Sequence, residues 1–267
     1  MATVGILEAI VLGIIQGLTE WLPISSSGHL ALAQLALNLE VPVFYDLVLH
    51  LGTLAGVFVV YGKEISCMLR SVVNQKTAEA PYPQGKRMLW LIILGTVPTA
   101  IIGLTFRSFF EYSFYDPLSI SIGFIVTGIL LLATKFLKPG NKKLGQVDAI
   151  LIGVGQGASI FSSLSRSGAT IAVGMFRGVE KEQLVRYSFL LSIPAIVGAA
   201  LIDAISIEGQ DLGLANIGIE SYLVGMAISA VVGYISIRIL IRAVVRGRFH
   251  LFALYCFAAG IATLIIL

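Results

Sequence analysis

Gln16–Gly17–Leu18–Thr19–Glu20–Trp21–Leu22–Pro23–Ile24–Ser25–Ser26–Ser27–Gly28–His29 interrupts an apolar stretch near the start of the chain, and it has a partial copy further on. A shift of 140 positions lays Gly13, Gln16, Gly17, Ser25, Ser27 and Gly28 on Gly153, Gln156, Gly157, Ser165, Ser167 and Gly168. Paired breaks at corresponding places in two halves of a membrane protein point to a binding site. The copies differ in their polar side chains. The first carries Glu20 and His29, and the second carries Arg166. That asymmetry suits chemistry on an anionic ligand.

The rest of the chain supplies the membrane setting. Of its 267 residues, 57% are hydrophobic and 12% charged, and the mean hydropathy is +0.93. Such a composition excludes an ordinary soluble enzyme and indicates an integral membrane protein built of helices. Cys67 and Cys256 form no metal or redox spacing and say nothing about compartment. The N-terminus has no basic segment with a cleavage site, so no removable signal peptide is expected.

Apolar runs at 45–61, 88–106, 118–137, 184–203, 219–240 and 249–267 are each near the ~20 residues a bilayer requires. The connections between them alternate in charge. In 62–88, Lys63, Arg70, Lys76, Lys86 and Arg87 outnumber Glu64 and Glu79, whereas in 104–117 Glu111 and Asp116 outnumber Arg107. Lys135, Lys138, Lys142 and Lys143 dominate 135–148, acids alone occupy 203–220 (Asp203, Glu208, Asp211, Glu220), and 238–248 carries only Arg238, Arg242, Arg246 and Arg248. Basic connections remain cytoplasmic, so six crossings fit without conflict.

Two broken segments remain, 4–37 and 149–177, each a helix, a Ser/Gly turn and a second short helix. With six crossings fixed, the first must enter and leave from outside and the second from inside. Such backbone is tolerated only where protein or a water-filled cavity surrounds it. The expected fold is therefore all-α and polytopic. It has two repeats, 1–137 and 138–267, each a re-entrant hairpin plus three transmembrane helices, in opposite orientations. Gly95 and Gly103 return as Gly225 and Gly233, but glycine is common here (28 of 267), so this echo carries little by itself.

Ser25, Ser26 and Ser27 follow Pro23 and open the second half-helix of the first hairpin, while Ser165 and Ser167 do the same in the second. Serine at a helix start satisfies free N–H groups, and such an end attracts phosphate. Serine alone is as well explained by capping. Glu20 changes the balance, because a carboxylate among Leu18, Trp21 and Leu22 costs ~2.5–3.5 kcal/mol at a membrane's centre. Gln16 lies four residues earlier on the same helical face. Together they could hold a divalent cation, position a water, or form a structural pair with the opposite tip. Arg166 offers a permanently charged fork for phosphate; the alternative is a salt bridge with Glu20. His29 follows Ser26 by three residues, a spacing that suits a hydroxyl nucleophile and its base.

These residues resemble the undecaprenyl-pyrophosphate phosphatase family of the bacitracin-resistance type. Its first motif matches Gln16, Glu20, Pro23, Ser25, Ser26, Gly28 and His29, and its second matches Ser165, Arg166, Ser167, Gly168 and Thr170. The resemblance spans essentially the whole chain. It implies hydrolysis of a polyprenyl diphosphate to the monophosphate and inorganic phosphate, which recycles a lipid carrier for cell-wall synthesis. It also implies a divalent cation (Mg²⁺ or Ca²⁺) and an active site on the extracytoplasmic side of the plasma membrane. Glu20, Ser26, His29 and Arg166 are the catalytic candidates. Gln16, Ser25, Ser27, Ser165, Ser167, Gly168 and Thr170 are the substrate-binding candidates, with Glu20 and Gln16 holding the metal. Ser26 is expected to attack with His29 as base, direct attack by His29 being the competing mechanism. Asp46 and His50 are supporting candidates. Ser162 and Ser163 stand where the family has Pro–Gly, which puts the turn before Leu164 in question. The expected partners are the lipid substrate and the membrane. A homodimer is compatible with the sequence, and nucleic acid is not expected.

Two other readings compete. A lipid-phosphate carrier would share broken helices at the midplane of an inverted repeat, but it does not need the Ser26–His29–Glu20 group. A phosphatidate-phosphatase-type enzyme needs an Arg–Pro element and a second histidine after the Ser–Arg pair. This chain has no Arg–Pro dipeptide and no histidine between Arg166 and His250, so that reading fails.

Overall fold

In a computed structural model, residues 4–39, 41–73, 85–109, 116–161, 163–206 and 217–266 are described. Lys76, Glu79, Glu111, Glu208, Asp211 and Ser162 lie outside them, and the side chain of Asp203 is not described. The described residues are helical, with no strand beyond an isolated bridge between Lys142 and Val179.

Six helices are long and apolar enough to cross a membrane: Val43–Val72, Gly85–Thr105, Pro117–Phe136, Lys181–Ile202, Ile219–Val245 and Phe249–Ile266. They coincide with the six apolar runs, so the chain is an all-α, multi-pass membrane protein. One boundary differs. The first span was expected to end at 61, yet its helix continues to Val73. The helix has a break at Tyr61 (φ −113°, ψ 15°), so Lys63 and Glu64 continue on a bent extension rather than in a loop.

The helices in chain order are α1 (Ile6–Trp21), α2 (Ser26–Ala36), α3 (Val43–Val73), α4 (Gly85–Thr105), α5 (Pro117–Ala133), α6 (Gln146–Ala158), α7 (Arg166–Phe176), α8 (Lys181–Ser206), α9 (Ile219–Val245) and α10 (Phe252–Ile266). Each broken segment is thus two helices and a turn. Pro23 explains where α1 stops: the residue before a proline is driven out of the helical region, and Leu22 adopts ψ 148°. Asp116 caps α5, accepting from Ser119 N, with Pro117 at the first helical position.

The packing pairs the halves crosswise. α1 lies chiefly on α9, and its counterpart α6 lies chiefly on α4. α5 and α10 pack on each other. Both crosswise contacts depend on glycine. A Cβ on Gly13 would stand 2.8 Å from the Gly225 carbonyl oxygen. A Cβ on Gly153 would strike the Gly95 carbonyl oxygen and backbone. The weak glycine echo in the sequence is therefore a pair of matching helix crossings, Gly13 on Gly225 and Gly153 on Gly95.

The main apolar core joins Trp21 and Leu22 of the first tip to Leu131, Ile152, Phe189, Leu191 and Ile237 of surrounding helices. Trp21 packs edge-on against Phe189, centroids 5.3 Å apart. The first tip is thereby anchored in helices of the second half.

Candidate active site

The two turns carry the same cap. Ser25 Oγ accepts from Gly28 N at 3.3 Å, and Ser165 Oγ accepts from Gly168 N at 3.1 Å. In each turn the capping serine lies 3.3 Å from the serine two residues on, Ser27 or Ser167. The serines satisfy N–H groups that a helix start leaves free. Their backbones differ. Ser25 takes φ 68° and Ser165 φ −66°; the second turn instead places Ser163 at φ 59°. That left-handed value favours glycine, the residue that the family resemblance leads one to expect here. This chain keeps the conformation with a serine.

The tips meet. Ser167 Oγ donates to the Leu22 carbonyl at 3.2 Å. A Cβ on Gly28 would fall 2.7 Å from Ser163 Oγ and 2.8 Å from Phe124. Thr127 Oγ1 accepts from Ser165 N at 3.0 Å. Phe124 and Thr127 lie near the middle of the span Pro117–Phe136, so the meeting point is at mid-helix depth.

Glu20 is the hub. It is 6% exposed and sits at the end of α1. Its Oε1 accepts from Arg166 Nη2, across the tips. Its Oε2 accepts from Ser26 Oγ at 2.6 Å and from Gln16 Nε2 at 3.0 Å, with His50 Nε2 at 3.5 Å. A carboxylate buried this deeply is tolerable because charge and hydrogen bonds surround it. Arg166 also stacks over Trp21, 5.5 Å from the ring centroid. Gln16 Oε1 and Arg166 Nη1 are buried and have no hydrogen-bond partner. An acceptor and a donor are thus left over on the two side chains that hold Glu20 from either tip.

His29 is differently engaged from expectation. Its Nδ1 is 2.6 Å from the Ser25 carbonyl, which can only accept, so Nδ1 carries the proton. Its Nε2 faces Tyr255 OH at 2.6 Å, with the rings stacked at 5.6 Å and Phe124 edge-on at 5.0 Å. The expected Ser26–His29 hydrogen bond is absent among the described residues. The imidazole turns toward α10, and Ser26 donates to Glu20 instead.

Thr170, expected at the ligand, faces α8: its hydroxyl is 2.6 Å from Ser188 Oγ and donates to the Arg166 carbonyl at 2.9 Å. It braces the start of α7. Asp46 is held by Gln34 Nε2 at 3.0 and 3.1 Å, and its carbonyl accepts from His50 Nδ1 at 2.7 Å. His50 therefore reaches Glu20, while Asp46 does not. Tyr255, Thr127 and the stacking role of Trp21 had no signal in the sequence, since each is an apolar-helix residue until the fold brings it to a tip.

The family follows from the match of the whole chain to its pattern. Residues 9–262 match the family described as bacitracin resistance protein BacA. The chain belongs to this family. It is 39% identical over 263 residues to a protein of Carboxydothermus hydrogenoformans named undecaprenyl-diphosphatase, covering 97% of this chain and 96% of that one. Proteins of the same name from Korarchaeum cryptofilum and Methanosphaera stadtmanae are 37% and 36% identical, each covering 98% of this chain and 99% and 98% of their own.

Proposed function

We propose that this chain is a membrane-embedded undecaprenyl-diphosphatase, converting a polyprenyl diphosphate to its monophosphate and inorganic phosphate. The observation that carries the reading is the convergence of Ser26 and Arg166, from opposite tips, on the two oxygens of one buried carboxylate. A carrier needs an anion site but no hydroxyl held on a base.

In the proposed reaction the diphosphate enters between the tips and draws Arg166 onto its oxygens, using the free Nη1 as well. Glu20, released from the salt bridge, becomes the stronger base. Ser26 Oγ attacks the terminal phosphorus as its proton passes to Glu20. The bond from that phosphorus to the bridging oxygen breaks, and the monophosphate lipid departs. Water then cleaves the phosphoserine and frees inorganic phosphate. Arg166 and the N–H groups at the starts of α2 and α7 stabilise the charge that develops on the transferred group. His29, fixed by Ser25 and Tyr255, takes no proton in these steps.

A divalent cation fits in part. The protein offers the Glu20 carboxylate and the unpartnered Gln16 Oε1, and the described residues contain no cluster of three His, Cys, Asp or Glu side chains. Mg²⁺ or Ca²⁺ held here would draw its remaining ligands from the diphosphate and water, and would supply neutralising charge.

The charge alternation supports a plasma-membrane orientation with Lys138 and Arg242 inside. With that orientation, hairpins entering from opposite sides make an inverted repeat whose site opens outward. Purified protein given undecaprenyl diphosphate should release one phosphate per substrate and none from the monophosphate. Tight binding of the diphosphate without phosphate release would contradict the reading and favour a carrier.

A further inference from the structure

At the basic end of the molecule, three separate segments surround a cavity of about 90 Å³. Thr134, Lys135 and Lys138 come from the segment just after α5, Lys181 from the start of α8, and Phe249 and His250 from the turn before α10. The walls are tied together. Lys142 N donates to the Gly178 carbonyl at 3.1 Å, and Glu180 N donates to the Lys142 carbonyl at 3.0 Å. Lys181 lies across Gly247, where an added Cβ would stand 3.4 Å from Nζ.

No carboxylate lines the cavity. Glu180 and Glu182 flank Lys181 in the chain but do not line it, and Asp148 is occupied by Lys142 at 2.8 Å and Arg177 at 2.9 Å. Among the described residues, Lys135, Lys138 and Lys181 make no ion pair. The rule that keeps lysines on one side of a membrane requires them near helix ends. It does not require three to line one cavity. Lys135 and Lys138 are exposed and Lys181 is half-buried, so water screens part of their mutual repulsion, and an anion among them removes the remainder.

We propose that this cavity binds the phosphate of an anionic lipid head group. About 90 Å³ is several times the ~10–15 Å³ that one water needs on the same measure, enough for a compact anionic group such as a phosphate. Basic pockets between helices at a cytoplasmic membrane face take lipid head groups in this way. Phe136 and Leu251, adjacent to the lining residues, are 78% and 52% exposed and offer acyl chains an apolar flank. The cavity is distinct from the tips. α7 starts at Arg166 and reaches the cavity at Met175, nine residues or about 14 Å further along the axis.

The test uses the full chain purified in a neutral detergent. Binding of phosphatidylglycerol is counted by native mass spectrometry and followed as a shift in Tm. The wild type should bind one tight phosphatidylglycerol, with a saturable rise in Tm. The variant Lys135→Gln/Lys138→Gln/Lys181→Gln should keep its lipid-free Tm and bind about 100-fold more weakly, about fivefold per lysine. Should the triple variant fail to fold, Lys138→Gln alone should show the fivefold loss. Inorganic phosphate producing the same shift without lipid would assign the site to free phosphate and overturn the lipid source. Equal binding by wild type and variants, or no saturable binding of either ligand, would overturn the site. Phosphate release from undecaprenyl diphosphate does not enter these readouts, so failure here leaves the proposed function untouched.

Discussion

The two hairpin tips share a scaffold and differ in charge. Each has a serine accepting from a glycine N–H three residues on, each follows a buried glutamine, and each packs its first helix on the opposite half through a glycine. Where the first tip has Glu20, Ser26 and His29, the second has Ile160, Arg166 and Ala169. The shared parts shape two helix starts. The differing parts make one tip acidic, with the hydroxyl proposed as nucleophile, and the other cationic. Neither tip could perform the proposed reaction alone, and their contact neutralises a buried charge that would be costly on either side.

The division of labour has a large expected consequence. Ser26→Ala should lower kcat/KM for phosphate release by at least about 10³-fold, because it removes the nucleophile. Glu20→Gln should lower it by about 10²–10⁴-fold, through loss of the base. In rapid-quench experiments with terminally labelled substrate, wild type should form an acid-stable phosphoprotein that Ser26→Ala lacks. Acid-labile label that vanishes in His29→Ala but persists in Ser26→Ala would move the nucleophile to His29.

The shared scaffold predicts a smaller effect on both sides, the larger at Gly153, where the facing backbone is closer. Gly13→Ala and Gly153→Ala each push a methyl into a facing backbone carbonyl, so each should destabilise by about 1–3 kcal/mol. Thermal unfolding in detergent measures this. A large loss in one and none in the other would mean that the two crossings are not equivalent.

Much of this was legible because polar and small residues are rare in an apolar chain and so carry information. Six spans were readable from hydropathy, and the tips from glycine and serine repeated at one offset. The Gly95–Gly225 echo was legible but uninterpretable, since only the fold shows that Gly225 meets Gly13 and Gly95 meets Gly153. Sequence spacing suggested Ser26 with His29, yet spacing along a helix does not set ring direction. Tyr255, 226 residues from His29, turned the imidazole away. Spacing likewise could not show that the Thr170 hydroxyl meets Ser188 and the Arg166 carbonyl.

The smallest effect concerns the turns. Ser163 holds φ 59° with a side chain, so Ser163→Gly should raise stability by about 1 kcal/mol and shift Tm upward. An unchanged or lower Tm would mean that the Ser163 hydroxyl beside Gly28 offsets the backbone cost.

The most direct test of the claim that the tips form one site is a double-mutant cycle across them. Glu20→Gln, Arg166→Lys and the pair are compared by kcat/KM for phosphate release from undecaprenyl diphosphate, well above the rate without protein. Arg166→Lys should cost about 10²–10³-fold and Glu20→Gln about 10²–10⁴-fold, because a point charge cannot replace the fork and an amide cannot accept the serine's proton. The pair should cost little more than the worse single, a coupling of about 2–3 kcal/mol between residues in one network. Losses that multiply in the double variant would show that Glu20 and Arg166 act independently, and would contradict a site shared between the two tips.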